Sequence, residues 1–444
     1  MSEKRTIDGQ RASESQVNQG IIVPLDLPEF EIVSQCMQAD GSIEVQVRAR
    51  KESQACPRCG EESSKVHDSR KRVKRDIQLG EYQVYLIVHK RRFRCARCQR
   101  PFTETDSACG RYKRTTQRFR HHVAKQACQR PLTHVAQEVQ VGPRFVHDCL
   151  HTRIEEKLKK KGRTLDEQAK LPTPQILGID EFALRKGHRY DTILCDLEAR
   201  DVLEVCDGRK KEDVVKLLKR LNDPDAVKAV SMDMSASFRP AVAAALPNAQ
   251  IVVDHFHVIQ HVMKAFRKVL SSWAHKKEGI ILLHRKQHLF LRPKEDLTQE
   301  DARERERVGT RLPILEKAWQ LKEALRTWYA TATVADAAGQ LDAWIKHVQQ
   351  EGPAALREAL SPFKIWRQEI LAFFQFLPIL VSNGFVEGKN NRTKTMMRQA
   401  YGYRNRYNLR MRILLGADTS MVDHFHPIRL YLDWILPWGR LCRL

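Results

Sequence analysis

The chain has 444 residues, enough for two to four domains that each bury a core of their own. It carries 77 Lys and Arg against 54 Asp and Glu, a formal net charge of +23, which predicts a polyanionic partner and favours nucleic acid over an anionic membrane. The longest apolar run, at 370–381, is too short to span a bilayer, which needs about 20 residues.

The N-terminal segment, residues 1–28, is polar and contains no apolar signal region. We therefore expect it to be disordered, and we expect the protein to be soluble and intracellular. The strand-like sequences that follow flank Asp40 and Gly41, a pair typical of a β-hairpin turn.

Two C-x2-C pairs lie within residues 29–107, namely Cys56 with Cys59 and Cys95 with Cys98. In an intracellular chain such pairs indicate metal binding rather than disulfides, because four thiolates complete the tetrahedron that zinc prefers. We predict a small β domain with a structural Zn²⁺ ion. Four unrelated buried cysteines are the alternative interpretation.

Helical periodicity runs from about 114 to 160, within a predicted DNA-binding domain at 108–165. Three segments carry it, at 115–129, 132–140 and 142–161. They suit a helix-turn-helix whose third helix enters the major groove. The residues predicted to contact DNA are Arg144, His147, His151 and Arg153 on the third helix, and Arg111, Lys113, Arg114, Arg118 and Arg120 around the first. An ordinary helical hairpin with a solvated basic face is the alternative.

Five apolar runs follow a charged linker and lie between residues 172 and 264. They are QILGID, DTILCDL, VLEVCDG, VKAVSMD and IVVDHF. Short polar connections join the first three, which predicts an antiparallel meander. Helical periodicity in the two longer connections predicts the order β-β-β-α-β-α-β, a mixed sheet with parallel crossovers.

Asp180 ends the first of these runs and Asp233 ends the fourth. In a sheet of this order the two strand ends can be neighbours, and two acids there would not both stay ionised without a cation. Mg²⁺ is the expected ion, and two such ions suit phosphodiester cleavage. Asp254 and His257, at the end of the fifth run, are a rival second ligand or a supporting pair. A turn residue is the alternative interpretation of each aspartate taken alone.

Residues 265–380 are predicted to be almost entirely helical, and a further helix is expected to begin with Asn383 as its N-cap. That helix carries Glu387, an isolated acid in a basic neighbourhood. The residues that helical spacing places on the Glu387 face are Asn391, Lys394 and Arg398. One acid at the head of a basic stripe suits a metal ligand beside a DNA backbone. A surface acid that favours the helix N-terminus is the alternative.

Four stretches now resemble the ISL-three family of bacterial insertion-sequence transposases. They are ILGIDEFALRKGHRYDTILCDLE, VSMDMS, VVDHFHV and SNGFVEGKNNRTKTMMRQAYGYRNRYNLRMRIL. The paired C-x2-C motifs and the three helices after them resemble that family too. The resemblance implies a ribonuclease-H-like catalytic core at 172–264 and 381–416, interrupted by an all-α insertion at 265–380. The apolar tail, 417–444, resembles nothing that assigns it a role.

The resemblance also implies the chemistry of a DDE transposase. Asp180, Asp233 and Glu387 would hold two Mg²⁺ ions, or Mn²⁺ in their place, with Asp254 and His257 as supporting residues. The N-terminal modules would bind the terminal inverted repeats, and a homo-oligomer on double-stranded DNA would cleave the element ends and join them to target DNA. Such a protein would work in the bacterial cytoplasm, on the nucleoid.

Two other functions are open. One is a zinc and helix-turn-helix regulator whose nuclease-like domain is inactive. The other is a nuclease of ribonuclease-H type that cleaves DNA without joining it.

Overall fold

The computed structural model describes residues 25–416, apart from 26, 106–107, 111–112, 186, 378–380, 401 and 404. The chain divides into two compact units, Met1–Arg153 and Ile154–Leu444. Most of the expected disordered segment, the apolar tail and Arg111 lie outside the described residues. No described helix is both long enough and apolar enough to cross a membrane.

The first unit contains a five-stranded sheet and a separate two-stranded ribbon. Its described strands are β1 (Phe30–Met37), β2 (Ile43–Ala49), β3 (Gln54–Ala55), β4 (Glu62–Ser63), β5 (Val66–Leu79), β6 (Tyr82–Arg94) and β7 (Pro101–Thr103). The sheet has the order β1-β2-β6-β5, and β7 also pairs with β6. The predicted hairpin is confirmed, because β1 and β2 pair antiparallel and Gly41 makes the turn with a φ of 81°.

The three helices predicted after this sheet are also confirmed. They are α1 (Gln117–Ala127), α2 (Leu132–Glu138) and α3 (Pro143–Lys160). A buried carboxylate on β5 ties α1 to the sheet: Asp76 accepts hydrogen bonds from Thr116 Oγ1 at 2.6 Å and from Arg118 Nε at 2.8 Å. Thr116 in turn caps α1 by accepting from the backbone N–H of Phe119.

The second unit contains the predicted mixed sheet. Its elements are β8 (Ile176–Arg185), β9 (Arg189–Asp196), β10 (Asp201–Asp207), α4 (Lys211–Leu218), β11 (Ala229–Met232), α5 (Phe238–Ala245) and β12 (Gln250–Val253). The strands lie in the order β10-β9-β8-β11-β12. The first three form an antiparallel meander, and β11 is parallel to both β8 and β12. The predicted order of strands and helices is therefore confirmed.

One predicted strand boundary is wrong. Asp180 does not end β8, which continues to Arg185 because its second half still pairs with β9. Asp180 instead lies just past the last parallel pair with β11, which joins Gly178 to Ser231.

A long helical stretch follows the sheet, as predicted. Its described helices are α6 (His255–Ala274), α7 (Lys277–Leu283), α8 (Gln287–Leu291), α9 (Gln299–Arg311), α10 (Pro313–Thr331), α11 (Ala337–Glu351), α12 (Ala354–Glu358), α13 (Ser361–Ile365) and α14 (Arg367–Gln375). These helices share one buried cluster with the sheet, in which Val253 of β12 belongs with Trp328 of α10 and Phe373 of α14. The sheet and the helical stretch therefore have a common core.

Two further helices complete the unit, α15 (Gly384–Gln399) and α16 (Arg406–Leu415). The start of α15 and the N-cap position of Asn383 are as predicted, but the Asn383 side chain does not cap the helix. This side chain makes no cap hydrogen bond and instead donates from Nδ2 to the carbonyl of Ile179 on β8, at 2.9 Å. The amide is thus used for tertiary docking rather than for the helix end.

The α16 helix packs on β10 and pairs a buried base with a buried acid. Arg410 Nε and Nη2 each donate to Glu204 at 2.7 Å, and both side chains are almost fully buried. Arg220 Nη1 lies 2.9 Å from the same carboxylate. Burial would raise the pKa of Glu204, but the hydrogen bonds and charge of Arg410 outweigh it and leave the pKa below its usual value.

Glu204→Gln is expected to destabilise this unit by about 3–5 kcal/mol, because it leaves buried arginines without their anion. Asp342→Asn, which removes an exposed pair with Arg367, is the control and is expected to cost about 0–1 kcal/mol. Urea unfolding followed by tryptophan fluorescence measures this, since all seven tryptophans lie in this unit.

The same pair predicts a dependence on pH. A depressed folded-state pKa contributes stability that is complete above the unfolded pKa of about 4.3 and is lost as the pH falls through the lower folded value. The stability difference between the wild type and Glu204→Gln should therefore shrink below about pH 4. A difference that stayed constant between pH 7 and pH 3 would contradict the role of this ion pair.

Candidate active site

Three aspartates form a row at one edge of the second sheet. The register that pairs Gly178 with Ser231 continues to Asp180 and Asp233, two residues further along each strand. On the other side of β11, the amide of Asp254 donates to the carbonyl of Met232 at 2.9 Å. Because these strands are parallel, their carboxyl ends meet at this edge.

Both Asp180 and Asp233 have raised pKa values, and the charge of Asp233 acts on Asp180. Burial and then the charge of Asp233 raise the pKa of Asp180 to about 7. Burial also raises the pKa of Asp233. Two carboxylates in this position resist ionisation together unless a cation neutralises them.

Glu387 reaches the same region from α15, but its direct partner is His257. His257 Nε2 lies 3.1 Å from Glu387 Oε1. Burial alone would lower the pKa of His257, yet Glu387, Asp254 and Asp233 outweigh it and raise the pKa to about 9. Asp254 caps α6, the helix that carries His257, by accepting from the backbone N–H of Phe256.

Among the described residues, Asp254, His257 and Glu387 form a group whose ligand atoms all lie within 4.8 Å of one another. Asp180 and Asp233 stand outside that group. A two-ion site does not require a single group, since the ions lie about 3.5–4 Å apart and each takes its own oxygen ligands. The three predicted acids therefore fall into two places. Asp180 and Asp233 lie at neighbouring strand ends, and Glu387 lies on α15 in contact with His257.

An unpredicted asparagine completes the arrangement. Asn390 Nδ2 donates to Asp180 Oδ2 at 2.7 Å, whereas the predicted Asn391 is exposed. Sequence spacing contained the signal, because Asn383, Glu387 and Asn390 recur at i, i+4 and i+7 on one helix face. The predicted residues Asn391, Lys394 and Arg398 instead lie on the exposed side of the helix.

The side chains at this edge suit a divalent cation. Two carboxylate oxygens at this edge are buried and have no hydrogen-bond partner among the described residues: Asp233 Oδ1 and Asp254 Oδ2. Unpartnered buried acceptors are costly unless a donor or a cation meets them. An oxygen donor set rich in carboxylates is the chemistry that Mg²⁺ and Mn²⁺ prefer.

In the first unit, the four predicted zinc ligands come together. The Sγ atoms of Cys56, Cys59, Cys95 and Cys98 all lie within 4.8 Å of one another, and Cys59 Sγ is 3.6 Å from Cys95 Sγ. A tetrahedral zinc ion with bonds of about 2.3 Å separates its sulfurs by about 3.8 Å. The cluster therefore fits a closed, structural zinc site.

Both cysteine pairs sit in the same kind of turn. The amide of Gly60 donates to the carbonyl of Cys56 and that of Gln99 to the carbonyl of Cys95, each at 2.9 Å. Gly60 and Gln99 both adopt the left-handed backbone conformation, with φ values of 75° and 53°. The amide of Cys98 also donates to Cys95 Sγ, and this contact helps to lower the pKa of the Cys95 thiol to about 7. The turn thus favours the thiolate that binds metal.

Two of the predicted DNA contacts on α3, Arg144 and His147, share one acidic partner. Arg144 is largely exposed, and its Nε lies 3.1 Å from Asp148 Oδ1. His147 Nδ1 lies 3.3 Å from the same oxygen, and Arg153 is half-buried. These bases therefore remain at the surface of the helix.

Of the other predicted DNA contacts, one is held in an ion pair within the fold and three are exposed to solvent. Arg118 is bound by the buried Asp76, so a phosphate contact by Arg118 would leave that carboxylate without its cation. Arg114, Lys394 and Arg398 are exposed.

Cys59→Ser is expected to abolish zinc binding and to unfold the β domain, because a structural zinc site contributes about 10–16 kcal/mol to a small domain. Elemental analysis measures the zinc, and limited proteolysis of residues 30–105 measures the unfolding. Cys36→Ser, at a thiol outside the cluster, is the control and should retain zinc. A Cys59→Ser protein that kept a full equivalent of zinc would contradict the assignment.

Two stretches of the chain match known protein families. Residues 177–413 match the ISL3 family model of DDE enzymes, described as transposase. Residues 52–98 match the zinc-finger of transposase IS204/IS1001/IS1096/IS1165.

Two relatives extend the match along the chain. The chain is 31% identical over 358 residues to the transposase for insertion sequence element IS1001 of Bordetella parapertussis, which covers 79% of this chain and 85% of that protein. It is 23% identical over 282 residues to the transposase for IS1557 of Mycobacterium tuberculosis, which covers 56% of this chain and 63% of that one. Since the family model matches more than half of its length, the chain belongs to the ISL3 (ISL-three) family of insertion-sequence transposases.

Proposed function

We propose that this transposase binds the terminal inverted repeats of its element and catalyses Mg²⁺-dependent strand cleavage and strand transfer. Asp180, Asp233 and Glu387 are the proposed catalytic acids. The observation that carries the proposal is that two half-buried aspartates at neighbouring strand ends lie near a helix whose acid contacts His257.

A ribonuclease-H-like core is part of this proposal. The supporting feature is the strand order β10-β9-β8-β11-β12, an antiparallel meander followed by two parallel strands. The acids follow the parallel pairing of β8 and β11, where ligands of open α/β sheets bind. The helices between β12 and α15 then form an insertion, at 265–380, within that core.

The three acids would hold two Mg²⁺ ions, with Mn²⁺ able to replace them. When bound, such ions supply a nucleophile at neutral pH and stabilise charge on the leaving oxygen. The protein residues act around them. Asp254 fixes the start of α6, which holds His257 against Glu387. The acids themselves form no covalent bond to DNA.

DNA contacts are proposed on both units. Arg144, His147 and Arg153 lie along α3, which would enter the major groove as the second helix of a helix-turn-helix. Arg114 would hold a phosphate. Asn391, Lys394 and Arg398 follow Glu387 along α15 and would hold the DNA backbone near the acids. A homo-oligomer is expected, because the two ends of an element must be handled together.

Asp180→Asn and Glu387→Gln are each expected to lower cleavage of end-containing DNA by at least about a thousandfold. Loss of a metal ligand removes several kcal/mol of charge stabilisation, and about 4 kcal/mol corresponds to that factor. End binding, measured by gel shift, should survive both changes. Glu358→Gln removes an exposed carboxylate on α12 and should cleave like the wild type.

Several outcomes would exclude the proposal. Cleavage at the wild-type rate by either acid variant would show that the acids are misassigned. A wild-type protein that bound DNA but never nicked it with Mg²⁺ or Mn²⁺ would favour the regulator hypothesis. Cleaved ends that never joined a target plasmid would favour a nuclease.

A further inference from the structure

Two buried asparagines dock α15 onto β8. Asn383 Nδ2 donates to the carbonyl of Ile179 at 2.9 Å, and Asn390 Nδ2 donates to Asp180 Oδ2 at 2.7 Å. The asparagines are seven residues apart, about two helical turns, so they share one face of α15 with Glu387 between them. Asn383 is 0% exposed and Asn390 is 2% exposed. The face of α15 that docks on β8 and the Glu387 side chain therefore belong to one helix and move together.

The partners of Asn390 determine its orientation. Asp180 Oδ2 and, more distantly, the carbonyl of Glu181 at 3.4 Å are both acceptors, so Nδ2 must face them. A neutral donor holds Asp180 without neutralising it, which leaves its negative charge for a cation. An arginine or lysine there would neutralise Asp180, and an acid would add another buried negative charge.

We propose that Asn390 is a positioning residue of the active site. It fixes the carboxylate of Asp180 and, through α15, sets where Glu387 lies relative to that carboxylate. The inference rests on the proposed function, because it takes Asp180 and Glu387 to be metal ligands. Groups that orient metal ligands typically change metal affinity by about 10–100-fold when they are removed.

The neighbouring asparagine supplies a matched control. Asn391→Ala changes the same residue type on the exposed side of the same helix. Binding of Mn²⁺ to the full chain without DNA, measured by isothermal titration calorimetry, should weaken about 10–100-fold in Asn390→Ala and stay unchanged in Asn391→Ala. Wild-type Mn²⁺ affinity in Asn390→Ala would overturn the proposal.

A second variant covers the case in which Asn390→Ala fails to fold. Asn390→Asp has nearly the same shape, but its ionised carboxylate cannot donate to Asp180. It should also lose Mn²⁺ affinity. Tighter Mn²⁺ binding by Asn390→Asp would overturn the proposal, because residue 390 would then contact the ion directly. Asp180→Asn distinguishes a failure of the Asn390 proposal from a failure of the proposed function. Unchanged Mn²⁺ binding by Asp180→Asn would contradict the metal site of the proposed function itself.

The first unit carries a different unassigned feature, three consecutive exposed bases on β5. Arg70, Lys71 and Arg72 lie on an edge strand of their sheet, opposite His89 and Lys90 of β6. None of the three has an ion pair or a side-chain hydrogen bond within the described residues. They therefore form an exposed basic row on the edge strand β5, and their positive charges are not paired within the described residues.

The nearby acids cannot neutralise this edge. Asp68 is paired with Arg92 at 3.2 Å, and Glu104 is paired with Arg91 at 2.8 Å. A single charge is enough to protect a strand edge from pairing with another chain. Three like charges in a row exceed that need.

The spacing of these bases suits a DNA backbone. Residues two apart on a strand project from the same face about 6.8 Å apart, which places Arg70 beside Arg72 and Lys71 on the opposite face. One strand of duplex DNA presents a phosphate about every 3.4 Å along its axis. We propose that Arg70 and Arg72 form a second DNA-contacting surface, which holds phosphates without reading sequence. This deepens the proposed function, since it presupposes that the chain binds DNA.

The salt dependence of DNA binding tests this surface. Replacing Arg70, Lys71 and Arg72 together by Gln should reduce the slope of log K against log salt by about 1.8, because Arg70 and Arg72 share the contacting face and each phosphate contact contributes about 0.9. Arg48→Gln is the control, because Arg48 is already paired with Glu31 at 3.0 Å, and its slope should not change. An unchanged slope in the triple variant would overturn the proposal. A wild-type affinity that did not respond to salt would instead contradict DNA binding itself.

Discussion

The close approach of α15 to β8 at Gly178 is the contact on which the proposed active site depends. A Cβ atom at this position would lie 2.7 Å from Val386 Cγ2, 2.8 Å from Leu197 Cδ2 and 3.1 Å from Asn383 Oδ1. Packed side chains cannot yield by that much without moving the helix. Only glycine lets α15 lie so close that Asn390 reaches Asp180.

Two acids of the same sheet have different partners and opposite shifts in pKa. Glu204, on β10, has Arg410 and Arg220 within hydrogen-bonding distance, and its pKa is lowered. Asp180, on β8, has an asparagine and another acid beside it, and its pKa is raised to about 7. A buried acid with its own arginine is already neutralised and serves the fold. A buried acid without one retains a charge that a bound cation can meet, which is the arrangement expected of a metal site.

The helical stretch between β12 and α15 is part of the same core as the sheet, so it does more than connect two motifs. His255, next to Asp254, packs against Tyr329 of α10 and Phe373 of α14 with ring centroids 5.7 Å and 5.0 Å away. The start of α6 is thereby held between α10 and α14, and His257 lies two residues further along. The position of the residue that contacts Glu387 therefore depends on packing within the inserted helices.

The sequence alone determined the order of strands and helices, the four clustered cysteines and the identity of the acids to consider, because these follow from local periodicity and short spacing. It placed Asn383 correctly at the N-cap but did not predict that its side chain docks on β8, and it selected Asn391 over Asn390. Helical spacing defines which residues share a face but not which face is buried. The tertiary structure decided that α15 turns its asparagine side to β8, because that side alone meets a glycine and two free acceptors on the strand. It also decided that Glu387 pairs with His257, a contact across 130 residues that no local force could specify.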